Sequence, residues 1–187
     1  LQKYALLTTI IDIKGKAYEE LAGANLRGDR GEFFTPRYVM KMTVDMINPK
    51  EHERVLDSSC GTGGFVVTAM TSVIDSLRER MEKQYGIEEG WNADVRKAFN
   101  DKISEIAAKN YFGFDINPDL VKATKMNMVM NNDGSGNILK FNTLLPPQEW
   151  EEDPKKKLAK ALGIPISEIR SHKSLAHFDV IVTNPPF

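Results

Sequence analysis

A glycine-rich loop between an apolar strand and a long helical segment most constrains the fold of this chain. Residues 54–57 predict a short buried strand, and an apolar helical pattern extends from about residue 65 to 84. Between them, Gly61, Gly63 and Gly64 allow the backbone to pass close to a ligand, and the following helix offers free N–H groups at its N-terminus. The loop alone also fits a simple turn. It has neither the Gly-Lys-Ser/Thr ending of a P-loop nor the spacing of the dinucleotide fingerprint.

Strands and helices alternate along the rest of the chain. Further strands are predicted at residues 111–115, 137–141 and 178–182, and further helices at 93–109 and from 118 onward. A charged segment, residues 146–177, contains a short amphipathic stretch around Leu158, Leu162 and Ile169. This alternation predicts an α/β fold with a doubly wound, mostly parallel sheet, in which ligands bind at the carboxyl ends of the strands.

Upstream of the glycine loop, Thr35 and Pro36 are predicted to open a helix that ends at Asn48 and Pro49. Threonine is a good N-cap because its hydroxyl accepts a hydrogen bond from the first turn, and proline suits the first helical position. Helical spacing of apolar residues also marks residues 1–24, and the Gly-, Asn- and Asp-rich residues 23–31 predict a loop.

An acidic residue, Asp115, ends the second predicted strand. A carboxylate at this place can accept two hydrogen bonds from ribose hydroxyls, as in nucleotide-binding sheets. The alternative is an acid that only caps the next helix. The position after a second strand favours a nucleoside-containing cofactor, without deciding between NAD and S-adenosylmethionine.

The segment from Asn184 to Phe187, Asn-Pro-Pro-Phe, follows the last predicted strand. Its two prolines remove two N–H donors and stiffen the backbone, which leaves the carbonyls of Asn184 and Pro185 as acceptors. An exocyclic adenine amine is a poor nucleophile because its lone pair is delocalised into the ring. Hydrogen bonds from its N–H groups to the Asn184 side-chain oxygen and the Pro185 carbonyl would localise that lone pair, and Phe187 offers a face for a flipped-out base. The alternative is a loop whose prolines only end the strand.

Charge and cysteine content limit the function classes. The chain has 25 basic and 26 acidic residues, whereas a protein that grips DNA alone usually has a basic face. The single cysteine, Cys60, excludes an internal disulfide, favours a reducing cytosol, and is expected to be a small buried side chain in the loop. No apolar run approaches the about 20 residues that a bilayer-spanning helix needs. The scattered histidines suggest no metal site, and the run from Lys155 to Lys157 is expected to be solvated.

Together these motifs resemble the amino-methyltransferases of DNA, and specifically the modification (M) subunits of type I restriction systems. Four segments resemble the family's upstream cofactor, glycine, acidic and catalytic motifs in the family's order: residues 31–37, 57–65, 112–118 and 184–187. The resemblance covers roughly residues 15–145 and 178–187, and residues 85–110 and 146–177 look like insertions. Ser58 and Ser59 stand where the family pattern has Pro and Ala.

The resemblance implies a Rossmann-like S-adenosylmethionine-dependent methyltransferase fold and transfer of a methyl group from S-adenosyl-L-methionine to adenine N6 in DNA. It assigns catalysis to Asn184, Pro185, Pro186 and Phe187, without a metal. Asn142, where many relatives have Asp, would meet the adenine of the cofactor. The implied cofactor-binding residues are Glu32, Phe33, Phe34, Thr35, Pro36, Arg37, Asp57, Gly61, Thr62, Gly63, Gly64, Asp115, Ile116 and Asn142.

The resemblance also implies a domain organisation and partners. Residues 1–30 are expected to end an N-terminal helical domain, and residues 31–187 to form a catalytic domain that is incomplete at its C-terminus. The expected partners in the cytoplasm are DNA, a specificity subunit and a restriction subunit. Residues 146–177 are a candidate docking surface, with a solvated loop as the alternative. Other functions left open are cytosine-N4 methylation, methylation of release-factor glutamine, and a non-catalytic scaffold that binds the cofactor.

Overall fold

A computed structural model describes residues 35–131 and 134–185. Four parallel strands form one sheet in the order β3-β2-β1-β4. The strands are β1 (Val55–Asp57), β2 (Tyr111–Asp115), β3 (Ile138–Lys140) and β4 (Val180–Ile181). The chain proceeds from β1 outward to β3 and then returns to the other side of β1 for β4. This reversal is the topological switch of a doubly wound sheet, so the predicted fold class is confirmed.

Six α-helices connect and cover the strands within the described residues. They are α1 (Arg37–Ile47), α2 (Gly64–Tyr85), α3 (Ala93–Asn110), α4 (Pro118–Met130), α5 (Glu152–Leu162) and α6 (Ile166–Ile169). The Asn117 side chain caps α4 by accepting a hydrogen bond from the Asp119 N–H at 2.9 Å, with Pro118 in the first turn. In the part of the chain described, no helix is long and apolar enough to cross a membrane.

Both faces of the sheet are buried because successive strand residues point to opposite sides. One face packs against α2 and α3, and the other against α5 and α6. The first face carries Val55, Tyr111 and Ile138, and the second carries Leu56, Phe112 and Leu139. The sheet that presents the strand ends is therefore held rigid from both sides.

The two segments that resemble insertions are parts of this core. Phe99 and Ile106 of α3 are buried against the first face. Leu158, Leu162 and Ile169 are buried against the second face, so this apolar stretch is not available for docking and only the charged surface of the segment remains a candidate. An amphipathic pattern in a charged segment is equally compatible with packing inside the same molecule and with binding to a partner.

Lys155 corrects the expectation of a solvated lysine run. Its side chain is 2% exposed, whereas Lys156 and Lys157 are exposed. The Lys155 ammonium pairs with Glu152 at 2.8 Å and donates to the Gln148 carbonyl at 3.3 Å. Burial of this long side chain is possible because both contacts satisfy its charge.

Candidate functional site

The carboxyl ends of all four strands meet at one edge of the sheet, because the strands are parallel. The glycine loop follows β1, and Asp115 is the last residue of β2. Asn142 follows β3, and Asn184 follows β4. The fold thus brings residues of the glycine, acidic and catalytic motifs, together with Asn142, to the edge where ligands bind in sheets of this kind.

Backbone conformation explains the glycines of the loop. Gly61 and Gly63 have φ values of +54° and +87°, which favour glycine because a Cβ strains this region. A Cβ on Gly63 would also lie 2.7 Å from the Thr124 methyl carbon. A Cβ on Gly64 would collide with the sulfur of Met40, so this glycine lets α1 pack on the start of α2.

Asp115 joins the glycine loop to the second strand. Its carboxylate accepts hydrogen bonds from the Gly61 N–H at 2.9 Å and the Asn117 N–H at 2.8 Å. The Cys60 N–H donates to the Phe114 carbonyl at 2.8 Å, which ties the loop to the same strand. Both interpretations of Asp115 are therefore compatible: it lies at the sheet edge and also organises the turn into α4.

A polar row on α4 holds the glycine loop from below, and the sequence analysis missed it. The Thr124 hydroxyl donates to the Gly61 carbonyl at 2.6 Å, and the Asn127 amide donates to the Thr62 carbonyl at 3.0 Å. The Asn131 amide in turn donates to the Asn127 side-chain oxygen at 3.0 Å. All three residues are buried. Their spacing of three and four residues on a buried helical face was the available signal, because buried polar side chains require partners.

Asp57 is a buried acid directly under the loop, 2% exposed. Burial raises the pKa of Asp57 to about 6; the hydrogen bond from the Ser59 N–H opposes this rise, and the charge of Asp115 adds to it. The same burial, with both acids nearby, raises the pKa of the Cys60 thiol well above its usual value. Cys60 is therefore a buried neutral side chain, as expected from the sequence, and the two acids make this edge favourable for a cation.

Asn142 lies in a turn that the charged segment stabilises. Its side-chain oxygen accepts a hydrogen bond from the Leu144 N–H at 3.2 Å. The Trp150 indole donates to the carbonyls of Asn142 and Leu145 at 3.0 and 3.1 Å. The indole ring also packs on Phe141 with 4.3 Å between centroids. The segment that resembles an insertion thus fixes the loop at the end of β3.

Asn184 contacts a residue of the upstream motif. Its amide nitrogen donates to the Thr35 hydroxyl oxygen at 3.0 Å, across 149 residues of sequence. The prediction that Thr35 caps α1 is wrong, because the helix begins one residue later than expected. Pro36 is the N-cap, and its carbonyl accepts from Val39 at 3.0 Å. The Thr35 side chain therefore contacts Asn184, in the segment that follows β4, instead of capping α1.

The remaining sequence-predicted residues have different environments. Thr62 is buried, and Arg37 begins α1 with a half-buried side chain. Ile116 is 58% exposed at the sheet edge, and Pro185 is exposed. Glu32, Phe33, Phe34, Pro186, Phe187 and residues 1–30 lie outside the described residues. Within residues 35–131 and 134–185, no group of three or more His, Cys, Asp or Glu side chains is arranged to hold a metal ion.

Known proteins resemble this chain over most of its length. The methylase subunit of the type I restriction enzyme EcoEI from Escherichia coli is 29% identical over 175 residues, which cover 92% of this chain and 27% of that protein. The type II restriction enzyme and methyltransferase RM.BcgI from Heyndrickxia coagulans is 27% identical over 138 residues, which cover 73% of this chain and 18% of that protein. Among solved structures, the M protein of the type I restriction enzyme EcoKI matches 87% of this chain and 27% of its own, with 20% identity and a TM-score of 0.44.

The chain spans 18% and 27% of the lengths of these two curated relatives. A family model described as N-6 DNA Methylase matches residues 9–187. This match confirms the family resemblance drawn from the four motifs. Because the matched region is nearly the whole sequence, the chain belongs to the N-6 DNA methylase family.

Proposed function

We propose that this chain carries the cofactor site and the catalytic motif of a DNA methyltransferase that transfers a methyl group from S-adenosyl-L-methionine to adenine N6. The observation that carries the proposal is the meeting of Asn184, Asp115 and the glycine loop at one sheet edge. Family membership supports adenine N6 as the target, since the matching family is that of N-6 DNA methylases.

The residues of the edge fit S-adenosyl-L-methionine. Asp115 offers carboxylate oxygens to a ribose, and Asn142 offers an amide oxygen to an adenine amino group. Ile116, 58% exposed, offers apolar surface to the adenine ring. The buried acid Asp57 beside Asp115 suits a ligand that carries an ammonium and a sulfonium. When bound, the cofactor supplies a methyl group that its sulfonium makes strongly electrophilic.

The residues after β4 activate the amine of the target adenine. The Asn184 side-chain oxygen and the Pro185 carbonyl accept hydrogen bonds from the two N–H groups of the target, which localises its lone pair. Phe187 stacks on the flipped-out base. Neither a covalent intermediate nor a metal is required, so most of the rate enhancement comes from alignment of the reacting atoms at about 3 Å.

The same proposal places the chain in a restriction-modification system. The EcoEI relative is named a methylase subunit of a type I restriction enzyme, and RM.BcgI is named a type II restriction enzyme and methyltransferase. By analogy, the partners are DNA, a specificity subunit and a restriction subunit, in the cytoplasm. The relatives are longer than this chain, so the activity is expected of the full-length protein.

The experiment is identification of the methylated product. The full-length protein with its neighbouring specificity subunit is incubated with plasmid DNA and tritiated S-adenosyl-L-methionine. The DNA is then digested to nucleosides and separated. We expect the label in N6-methyldeoxyadenosine. Label in N4-methyldeoxycytidine, or in protein glutamine, would contradict the adenine assignment.

A further inference from the structure

The Thr35 side chain does not cap α1, the helix that follows it. A threonine ahead of a proline at a helix start normally caps the first turn with its hydroxyl. Here Pro36 occupies the N-cap, and α1 has no side-chain cap hydrogen bond. The Thr35 hydroxyl oxygen instead accepts a hydrogen bond from the Asn184 amide nitrogen at 3.0 Å. A residue of the upstream motif therefore contacts the proposed catalytic side chain directly.

The direction of this hydrogen bond matters for the chemistry of an asparagine. The two ends of its amide are nearly equal in size but opposite in function, since one donates and the other accepts. An amine that is to be activated needs an acceptor, which is the oxygen end. If the amide were turned over, its N–H groups would face the N–H groups of the target. The contact with Thr35 engages the nitrogen end and so leaves the oxygen end for the substrate.

We propose that Thr35 is a positioning residue whose hydroxyl holds the Asn184 amide by its nitrogen end, the orientation in which the oxygen end can accept from the target amine. This inference rests on the proposed function, because it assumes that Asn184 acts on the target amine. It differs from the role that the family resemblance implies for Thr35, which is cofactor binding. The two roles predict different kinetic effects, since an orientation defect slows the methyl-transfer step and a cofactor defect weakens binding.

The test compares Thr35→Val, which removes the hydroxyl and keeps the branched shape, with Thr35→Ser, which keeps the hydroxyl. The single-turnover rate constant for methyl transfer and the dissociation constant of S-adenosyl-L-methionine are measured on the full-length protein in complex with its specificity subunit. We expect Thr35→Val to slow transfer about three- to tenfold, the effect of one lost aligning hydrogen bond, and to change cofactor affinity less than about twofold. Thr35→Ser should transfer the methyl group at a rate close to that of wild type. Thr43→Val, on the same helix, is the matched control and should leave both quantities unchanged.

Two kinetic patterns of the Thr35 variants would overturn the inference, as would a normal rate in Thr35→Val. In one, Thr35→Val weakens cofactor binding and leaves the rate at saturation unchanged, which would make Thr35 a cofactor-binding residue. In the other, Thr35→Val and Thr35→Ser slow transfer equally, which would deny any role of the hydroxyl.

Asn184→Ala, measured in parallel, separates this inference from the proposed function. If Asn184→Ala is inactive and Thr35→Val is normal, only the role of Thr35 fails; if Asn184→Ala is active, the role of Asn184 fails as well.

Discussion

Two acids beneath the glycine loop differ in how they are satisfied. Asp115 accepts two backbone hydrogen bonds at 2.9 and 2.8 Å, from the loop and from the start of α4. Asp57 is more deeply buried, and the Ser59 N–H at 3.1 Å is its backbone donor. Burial disfavours the charged form of a carboxylate, which is the main cause of the raised pKa of Asp57. The two side chains therefore have different tasks and should respond differently to substitution.

The raised pKa of Asp57 predicts a pH dependence of stability. In the unfolded chain an Asp titrates at about 3.9, whereas in the fold the pKa of Asp57 is about 6. The folded state binds the proton more tightly, so the stabilisation is complete below about pH 4 and is lost as the pH rises through about 6. Asp57→Asn should remove this contribution, so that the variant loses about 2–3 kcal/mol less unfolding free energy than wild type as the pH rises across this window. Urea unfolding of wild type and variant from pH 4 to 7 measures this, and parallel curves would contradict it.

Asp115 should determine cofactor affinity. Asp115→Ala removes the proposed charge-assisted bonds to a ribose and should weaken binding of S-adenosyl-L-methionine by about 1.5–3 kcal/mol. The substitution also removes the acceptor of the Gly61 and Asn117 N–H groups, so Asp115→Asn, whose one oxygen can still accept one of these two bonds, is measured beside it. Titration calorimetry on the full-length protein measures both. Unchanged affinity in Asp115→Ala would remove this residue from the cofactor site.

Residue-level predictions from the sequence succeeded where a side chain follows its own strand and failed where a contact is distant. The placement of Asp115 and Asn142 at the sheet edge follows from strand order alone. The hydrogen bond between Thr35 and Asn184 spans 149 residues, and local rules for helix caps assigned Thr35 a different partner. Capping preferences depend on the residues at the helix start and take no account of segments that are distant in sequence and pack against it.

At the scale of elements, α4 supports the cofactor loop. Thr124 and Asn127 donate to consecutive loop carbonyls, Gly61 and Thr62, at 2.6 and 3.0 Å. These bonds turn the carbonyls toward the helix and fix the loop on a rigid element, as a preorganised ligand site requires. The helix was predicted from its apolar residues, but its polar row was not, because hydrophobic periodicity gives no information about buried hydrogen bonds.

Removing one bond of this row should loosen the loop. Asn127→Ala removes the side-chain donor of the Thr62 carbonyl and one of the two acceptors of the Asn131 amide, and a buried group left unsatisfied costs about 1–3 kcal/mol of stability. We expect a lower thermal midpoint and weaker cofactor binding together. Met126→Ala, at an exposed position of the same helix, is the matched control. Cofactor affinity equal to that of the control would show that the row serves stability alone.

The segments 85–110 and 146–177 show that a part of the chain outside the family's motif pattern can belong to the core. They have no place in the common motif pattern, yet α3 and α5 bury apolar residues on both faces of the sheet. Trp150 within the second segment holds the turn that contains Asn142. Absence from a family's motifs therefore did not imply absence from the core, and apolar periodicity was the better guide to burial.

For the whole molecule, charge balance is the main constraint on DNA binding. The chain has 25 basic and 26 acidic residues, so it lacks the excess of positive charge that phosphate contacts usually require. Its sequence also has no recognisable base-reading motif such as a zinc finger. In the proposed enzyme, sequence specificity is therefore expected to come from residues outside this chain.

This balance predicts that a partner is needed for specific DNA binding. In gel-shift titrations at physiological salt, the full-length protein with its neighbouring specificity subunit should prefer one sequence over competitor DNA, and the protein alone should not. The charged exterior of residues 146–177 is a candidate contact, and reversing the exposed charges of Lys156 and Lys157 should weaken the complex. Sequence-specific binding by the protein alone would instead favour a recognition domain within the same chain.

Methyl transfer by Asn184→Ala tests the central claim most directly. Tritium incorporation into duplex DNA and the affinity for S-adenosyl-L-methionine are measured on the full-length complex with and without the substitution. Because the Asn184 side chain is proposed to contact the target amine and not the cofactor, the account predicts that incorporation is abolished while cofactor affinity stays within about twofold, less than the loss of one hydrogen bond. Near-normal incorporation by Asn184→Ala would contradict the account.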